Sequence, residues 1–204
     1  MASIIDYLGS LIFGGAILGI ILNANDIASE NQSIYNGDML VQEMLIQTAH
    51  LVEGEFRNMG VGVPEDEHAV LAADSTSIAF LYDIDRDGTP DSVQYRVGSP
   101  ASMPGTQNEL DRPLYRRVNS GPVATVGVVT QFHLSFMDRH GIVLPLPVPA
   151  TRLSEIHTVE ITMEVQNPYA TLRPKGSVQA GERDALYSSS LWQQTRLAAQ
   201  NSRR

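Results

Sequence analysis

The first 60 residues constrain this chain more than any other segment. An uncharged, apolar stretch runs from Tyr7 to Asn25, with one acid, Asp6, just ahead of it. A membrane-spanning helix needs roughly 20 apolar residues, and Ile4 to Ala24 supplies that length. The next segment keeps helical periodicity. Ile34, Val41, Leu45, Val52, Phe56 and Met59 recur at intervals of three, four or seven, which puts them on one helical face. Leu40, Met44 and Leu51 widen that face. At roughly 1.5 Å per residue, a helix from Ile4 to Asn58 would be about 80 Å long. Its first half is expected in lipid and its second half outside it. Tyr35-Asn36-Gly37-Asp38 is the expected place for an interruption or kink, since Gly costs about 1 kcal/mol against Ala in a helix interior. Gly60, Gly62 and Pro64 are expected to end the helix.

The apolar run reads as an uncleaved anchor rather than a signal peptide. No Lys or Arg precedes it, an acid stands where basic residues belong, and no polar cleavage region follows. Between Asp26 and Phe56 there are six acids (Asp26, Glu30, Asp38, Glu43, Glu53, Glu55) and no Lys or Arg. Cytoplasmic flanks collect basic residues, so this flank is expected to face outward. Within the anchor, Gly9, Gly14, Gly15 and Gly19 stand out. Gly15 and Gly19 form a small-xxx-small pair, which permits close approach of another helix in lipid.

At 204 residues, the chain has room for one ordinary domain beyond the anchor. A formal net charge of −9, with scattered basic residues apart from Arg116-Arg117 and Arg203-Arg204, argues against a nucleic-acid partner. The absence of cysteine removes disulfides, thiolate metal sites and a Cys nucleophile.

Beyond residue 60 the patterning is that of strands. Ser77–Tyr82 alternates partly and Ser92–Val97 cleanly. Leu114–Val118 is short and amphipathic, Val126–Met137 holds a long β-prone run, and Thr158–Val165 alternates over its whole length. Such patterns suit an antiparallel sheet with one wet face. Leu144–Pro149 reads as a loop or edge, and Asp138–Gly141 as a turn. From Thr171 onward the composition turns polar, with a short helix expected around Leu191–Gln200. Trp192, the only tryptophan, suggests a docking point or burial against the sheet.

The sharpest local motif is Asp83-Ile-Asp85-Arg-Asp87-Gly88-Thr-Pro-Asp91. Aspartates at positions 1, 3 and 5 with Gly at 6 match the first half of a calcium-binding loop, but Gln94 stands where the bidentate Glu belongs. Two readings stay open: a structural calcium site formed by Asp83, Asp85, Asp87 and Asp91, or a hairpin turn favoured by Asp-Gly. The five histidines (His50, His68, His133, His140, His157) lack zinc spacing, and there is no nucleophile elbow or phosphate loop. Neither an enzyme nor a small-molecule substrate is implied.

In order along residues 2 to 168, these pieces resemble type IV pilin-like proteins, especially minor pilins of the PilW kind and J-type pseudopilins of type II secretion. The resemblance rests on several segments. One is the apolar-then-amphipathic helix ending in Glu55-Phe56-Arg57-Asn58-Met59-Gly60, similar to Asp-Ile-Arg-x-Ala-Gly. An acidic hairpin spans Ser77 to Val97, and Leu114-Tyr115-Arg116-Arg117 matches a Leu-x-Arg segment. A Gly127-Val128-x-x-x-Phe132-x-Leu134 strand and the strand Val159–Val165 complete the set. Prepilins also carry a basic leader ending in Gly, which this sequence lacks. With Met1 removed, Asp6 takes the fifth position, where the family's acid pairs with a neighbouring subunit's terminal amine.

The resemblance implies an α+β fold: a long N-terminal helix, transmembrane then amphipathic, packed on an antiparallel β-sheet head. The expected division is anchor 1–25, stem helix 26–60, extracytoplasmic head 61–170 and polar tail 171–204. The implied function is structural. Subunits would join copies of themselves or other pilin-like chains through Asp6, Gly14, Gly15 and Gly19, at the membrane or in a cell-surface filament. Two alternatives remain: a single-span accessory subunit of a membrane complex, and a calcium-dependent adhesion or binding module on a membrane stalk.

Overall fold

The computed structural model describes the backbone of residues 4–106, 108–167, 171–172, 185–186 and 189–198. It describes side chains within 4–167 apart from 5, 6, 30, 33, 34 and 107. Helix α1 runs unbroken over Ile4–Arg57. The strands are β1 (Val70–Asp74), β2 (Ser77–Tyr82), β3 (Asp91–Val97), β4 (Arg112–Val118), β5 (Ala124–Val129), β6 (Gln131–Met137), β7 (Thr158–Gln166), β8 (Thr171–Leu172), β9 (Ala185–Leu186) and β10 (Ser189–Ala198).

Strands β1 to β5 form an antiparallel meander in sequence order, while β10, β7 and β6 form a second antiparallel sheet; β8 and β9 pair separately. The chain is thus α+β, one long helix packed on antiparallel sheets. The helix face foreseen from periodicity is the buried one. Val41, Leu45, Val52, Phe56 and Met59 pack with Ile78, Phe80, Val93 and Tyr95 of the first sheet. They also pack with Phe132, Leu134, Phe136, Ile161 and Met163 of the second, in one continuous core. The Phe56 ring meets Phe80 edge-on at 5.2 Å and Tyr95 at 5.6 Å between centroids. Leu40 and Leu51 stay more than a third exposed, so the core face is narrower than expected. Ile34 lies among the residues whose side chains are outside the described set.

Glycine sets how closely the helix approaches the sheets. A Cβ on Gly37 would fall 2.2 Å from the Nδ2 of Asn167, and one on Gly127 of β5 would fall 2.5 Å from the hydroxyl of Thr48. The expected interruption at residues 35–38 is absent, the helical backbone running on through Gly37. Gly37 makes room for the buried Asn167 side chain while its backbone stays helical. The helix stops as foreseen, with Gly60 and Gly62 at positive φ. Its end is stitched to β2: Gly60 N–H donates to Leu81 O (2.8 Å) and Asp83 N–H to Val61 O (2.9 Å).

Two strand expectations need correction. The run from Val126 to Met137 is two strands in different sheets. Thr130 turns the chain from one to the other, its N–H donating to Glu164 O at 2.9 Å. The segment expected as a helix near Leu191–Gln200 is β10, which pairs with β7 from Ser189↔Gln166 to Ala198↔Thr158. Pairing to an available edge overrides a local helix preference. The Trp192 side chain lies outside the described residues.

Candidate functional site

Three constellations emerge on this scaffold. The first is the apolar half of α1. Tyr7–Ser29 has a mean hydropathy of 1.8, and none of it is buried inside the chain. Leu11, Phe13 and Ile20 are 76%, 73% and 69% exposed. Gly14, Gly15 and Gly19 have open space where a Cβ would lie. Their surface is therefore available to another helix and is not used by this chain's own head. The helix backbone covers Asp6, whose side chain is outside the described residues.

The second lies where the stem meets the head, and sequence reasoning missed it. Glu55 was counted with the acids of the flank, yet its side chain points into the core. Arg116 of β4 grips it, Nε lying 3.0 and 2.9 Å from the two carboxylate oxygens and Nη2 closing on Oε1. The hydroxyl of Tyr82 donates to Oε1 at 3.0 Å, and that of Tyr95 to Oε2. The strand register explains the convergence. Tyr95 and Arg116 are direct cross-strand partners, and both project onto the sheet face that receives the helix. Such a charge-assisted fork fixes orientation as well as distance. Burial, then the Glu55 carboxylate, push the Tyr82 hydroxyl up to about 12 and raise that of Tyr95. Both remain protonated donors at neutral pH. Hydrogen bonding to Glu55 raises the Arg116 pKa, which keeps the guanidinium charged. The usable signal was the spacing: Glu55 sits three residues after Val52 and four before Met59, inside the apolar stripe.

The third is the acidic loop between β2 and β3. One carboxylate oxygen from each of Asp83, Asp85 and Asp91 lies within 4.8 Å of the others. Asp87 does not join this group; its side chain accepts from Thr89 N–H at 2.7 Å. The loop is closed from within. Asp83 accepts from the N–H groups of Asp87 (3.2 Å) and Gly88 (2.9 Å), and Asp91 accepts from Ile84 N–H (3.2 Å) and Asn119 Nδ2 (2.6 Å). Arg86 and Gly88 take positive φ to make the turn. The segment is thus a turn through Asp87-Gly88, with carboxylate oxygens of three of the four expected aspartates, Asp83, Asp85 and Asp91, drawn close together and Asp87 outside the group.

No protein-family model matches the sequence, and no curated protein is significantly similar to it. Among solved structures, a type IV-like pilin from Thermus thermophilus aligns at 12% identity. The alignment covers 80% of this chain and 97% of that one, with a TM-score of 0.48.

Proposed function

We propose that this chain is a membrane-anchored structural subunit of the pilin-like kind, assembling with copies of itself or similar chains through its N-terminal helix. One observation carries the reading. A single unbroken helix is predominantly apolar with nothing buried over Tyr7–Ser29 and becomes a core element of the head from Val41 onward. A helix built only as an anchor has no need to run on as the spine of its own domain. The order of segments that resembles minor pilins supports the same reading. So does the meeting of two of those segments, the helix-closing motif and the Leu-x-Arg segment, through Glu55 and Arg116. In this reading the head faces away from the cytoplasm. Asp6 offers its charge to a neighbour, where an unpaired ion is costly in lipid. Gly15 and Gly19 admit the neighbour's helix.

The test is microscopy of material sheared from cells producing the full chain. Wild type yields filaments or short assemblies; Asp6→Ala and Gly19→Ile yield none, while circular dichroism of the purified variants shows a folded head. Normal assembly by both variants would sink the proposal. A second reading, a calcium-stabilised binding module on a membrane stalk, is favoured by the convergence of Asp83, Asp85 and Asp91. Assemblies absent from wild type, together with calcium-dependent retention of a ligand by the head, would favour it instead.

A further inference from the structure

Arg96 of β3 and Arg117 of β4 stand on the face of the first sheet turned away from α1. Alternation puts them there. Val93 and Tyr95 are buried, so Gln94 and Arg96 face solvent, and Arg117 is the cross-strand partner of Gln94. Together with Val123 and with Tyr115, which lies opposite Arg96, they line one shallow cavity of about 80 Å³. The Arg96 guanidinium sits 4.9 Å from the centre of the Tyr115 ring, a contact that positions the charge without neutralising it. Among the described residues, neither arginine has a carboxylate partner. The chain has 23 acids against 14 basic residues. Two unpaired guanidiniums in one cavity run against that balance, and the group that complements them is a carboxylate or another anion.

We propose that this cavity receives the acidic loop of a second copy of the chain, with Asp85 and Asp87 pairing with Arg96 and Arg117. The proposal rests on the assembly reading above and names the head-to-head contact that goes with it. Asp85 and Asp87 are exposed in the turn between β2 and β3. Among the described residues, their carboxylates meet only N–H groups of their own loop, those of Asp87 (3.2 Å) and Thr89 (2.7 Å). The loop cannot neutralise the cavity of its own chain. Arg117 and Arg96 stand level with positions three and five residues beyond Asp91, about 10 and 17 Å along β3. Loop and cavity are different surfaces, so the contact is heterologous, and such contacts repeat from copy to copy into rings or open filaments. Exposed ion pairs are individually weak. Copies already joined through their helices present this second contact at high effective concentration, and guanidinium–carboxylate forks add direction to the attraction.

The experiment measures the amount of full chain in assemblies sheared from producing cells. Arg96→Glu/Arg117→Glu and Asp85→Lys/Asp87→Lys each cut that amount several-fold, because like charges then face each other. Arg96→Gln/Arg117→Gln, a gentler change, gives a partial loss in the same direction. Combining the two charge reversals in one chain restores assembly. So does producing the two reversed chains together, since each altered surface then meets its altered complement. Arg139→Glu/Arg152→Glu, the same charge change away from the cavity, leaves assembly intact. Undiminished assembly of Arg96→Glu/Arg117→Glu would overturn the proposal and leave the assembly reading standing. A loss repaired neither by the combined chain nor by co-production would also overturn it, and would give the cavity another occupant, such as a free anion or an anionic polymer. Wild type without assemblies would overturn both.

Discussion

Replacing Arg116 by methionine tests whether the stem is bolted to the head through Glu55. The substitution keeps most of the side chain's volume and removes the guanidinium. It leaves a carboxylate whose side chain is 11% exposed with two tyrosine hydroxyls as its remaining donors. Removing one partner of a buried pair typically costs 3–5 kcal/mol. The arginine side chain is 23% exposed and both hydroxyls stay in place, so the lower end applies, about 3 kcal/mol. For a domain of this size that corresponds to a fall in melting temperature of about 6–12 °C, taking roughly 2–4 °C per kcal/mol. Glu55→Leu alone strands the arginine and both hydroxyls and costs a similar amount. The double variant leaves no buried charge, and such replacements are often neutral or stabilising. It should therefore lose less than either single variant, a coupling of about 2 kcal/mol or more. Near-ultraviolet circular dichroism during urea unfolding supplies all four corners of the cycle. A loss below about 1 kcal/mol for Arg116→Met, or a double variant losing the sum of the singles, would refute the reasoning.

Two further outcomes follow from the same core. The Tyr82 and Tyr95 pKa values are raised on folding, so their contribution is intact below about 10 and is lost as pH rises through the folded values, about 12 for Tyr82. Urea midpoints should fall over that window and fall less in Tyr82→Phe/Tyr95→Phe; an identical decline in that variant would remove the tyrosines as its cause. Gly127→Ala places a methyl 2.5 Å from Thr48 Oγ1 and 2.8 Å from Cγ2, an overpacking cost of about 1–3 kcal/mol. Thr48→Ala should recover part of that loss, which a melting series on the single and double variants would show.

Local pattern carried the helix and most of the strands because their periods are written in neighbouring residues. Val41, Leu45, Val52 and Phe56 repeat at helical spacing, and Thr158–Val165 alternates residue by residue. What failed were features decided by distant partners. Thr130 looks like the middle of a strand until Glu164 takes its N–H. Ser189–Ala198 shows no clean alternation, and only the edge of β7 makes it a strand. Gly37 reads as a weak point until Asn167 fills the space beside it. The same limit governed the sites. The acidic loop was legible because its carboxylates all fall within nine residues, Asp83 to Asp91. The Glu55 cluster joins residues up to 61 positions apart.

The Glu55–Arg116 pair also bears on how a stem can carry a head. Apolar contacts alone are non-directional, and a helix presenting Val41, Leu45, Val52 and Phe56 could shift along a sheet and still bury side chains of similar size. One turn of such a shift moves the helix about 5.4 Å. The ion pair makes that shift costly, because Glu55 would leave Arg116, Tyr82 and Tyr95 together and strand a charge in the core. The ion pairs Glu53–Arg57 and Arg152–Glu155 are local and more exposed, so neither can set this register. A buried pair adds little net stability over apolar packing but can enforce a single arrangement. Under the proposed function, in which subunits meet through the exposed end of the same helix, that single arrangement would set where each head stands relative to the next. Loss of the pair should therefore disturb assembly geometry as well as folding.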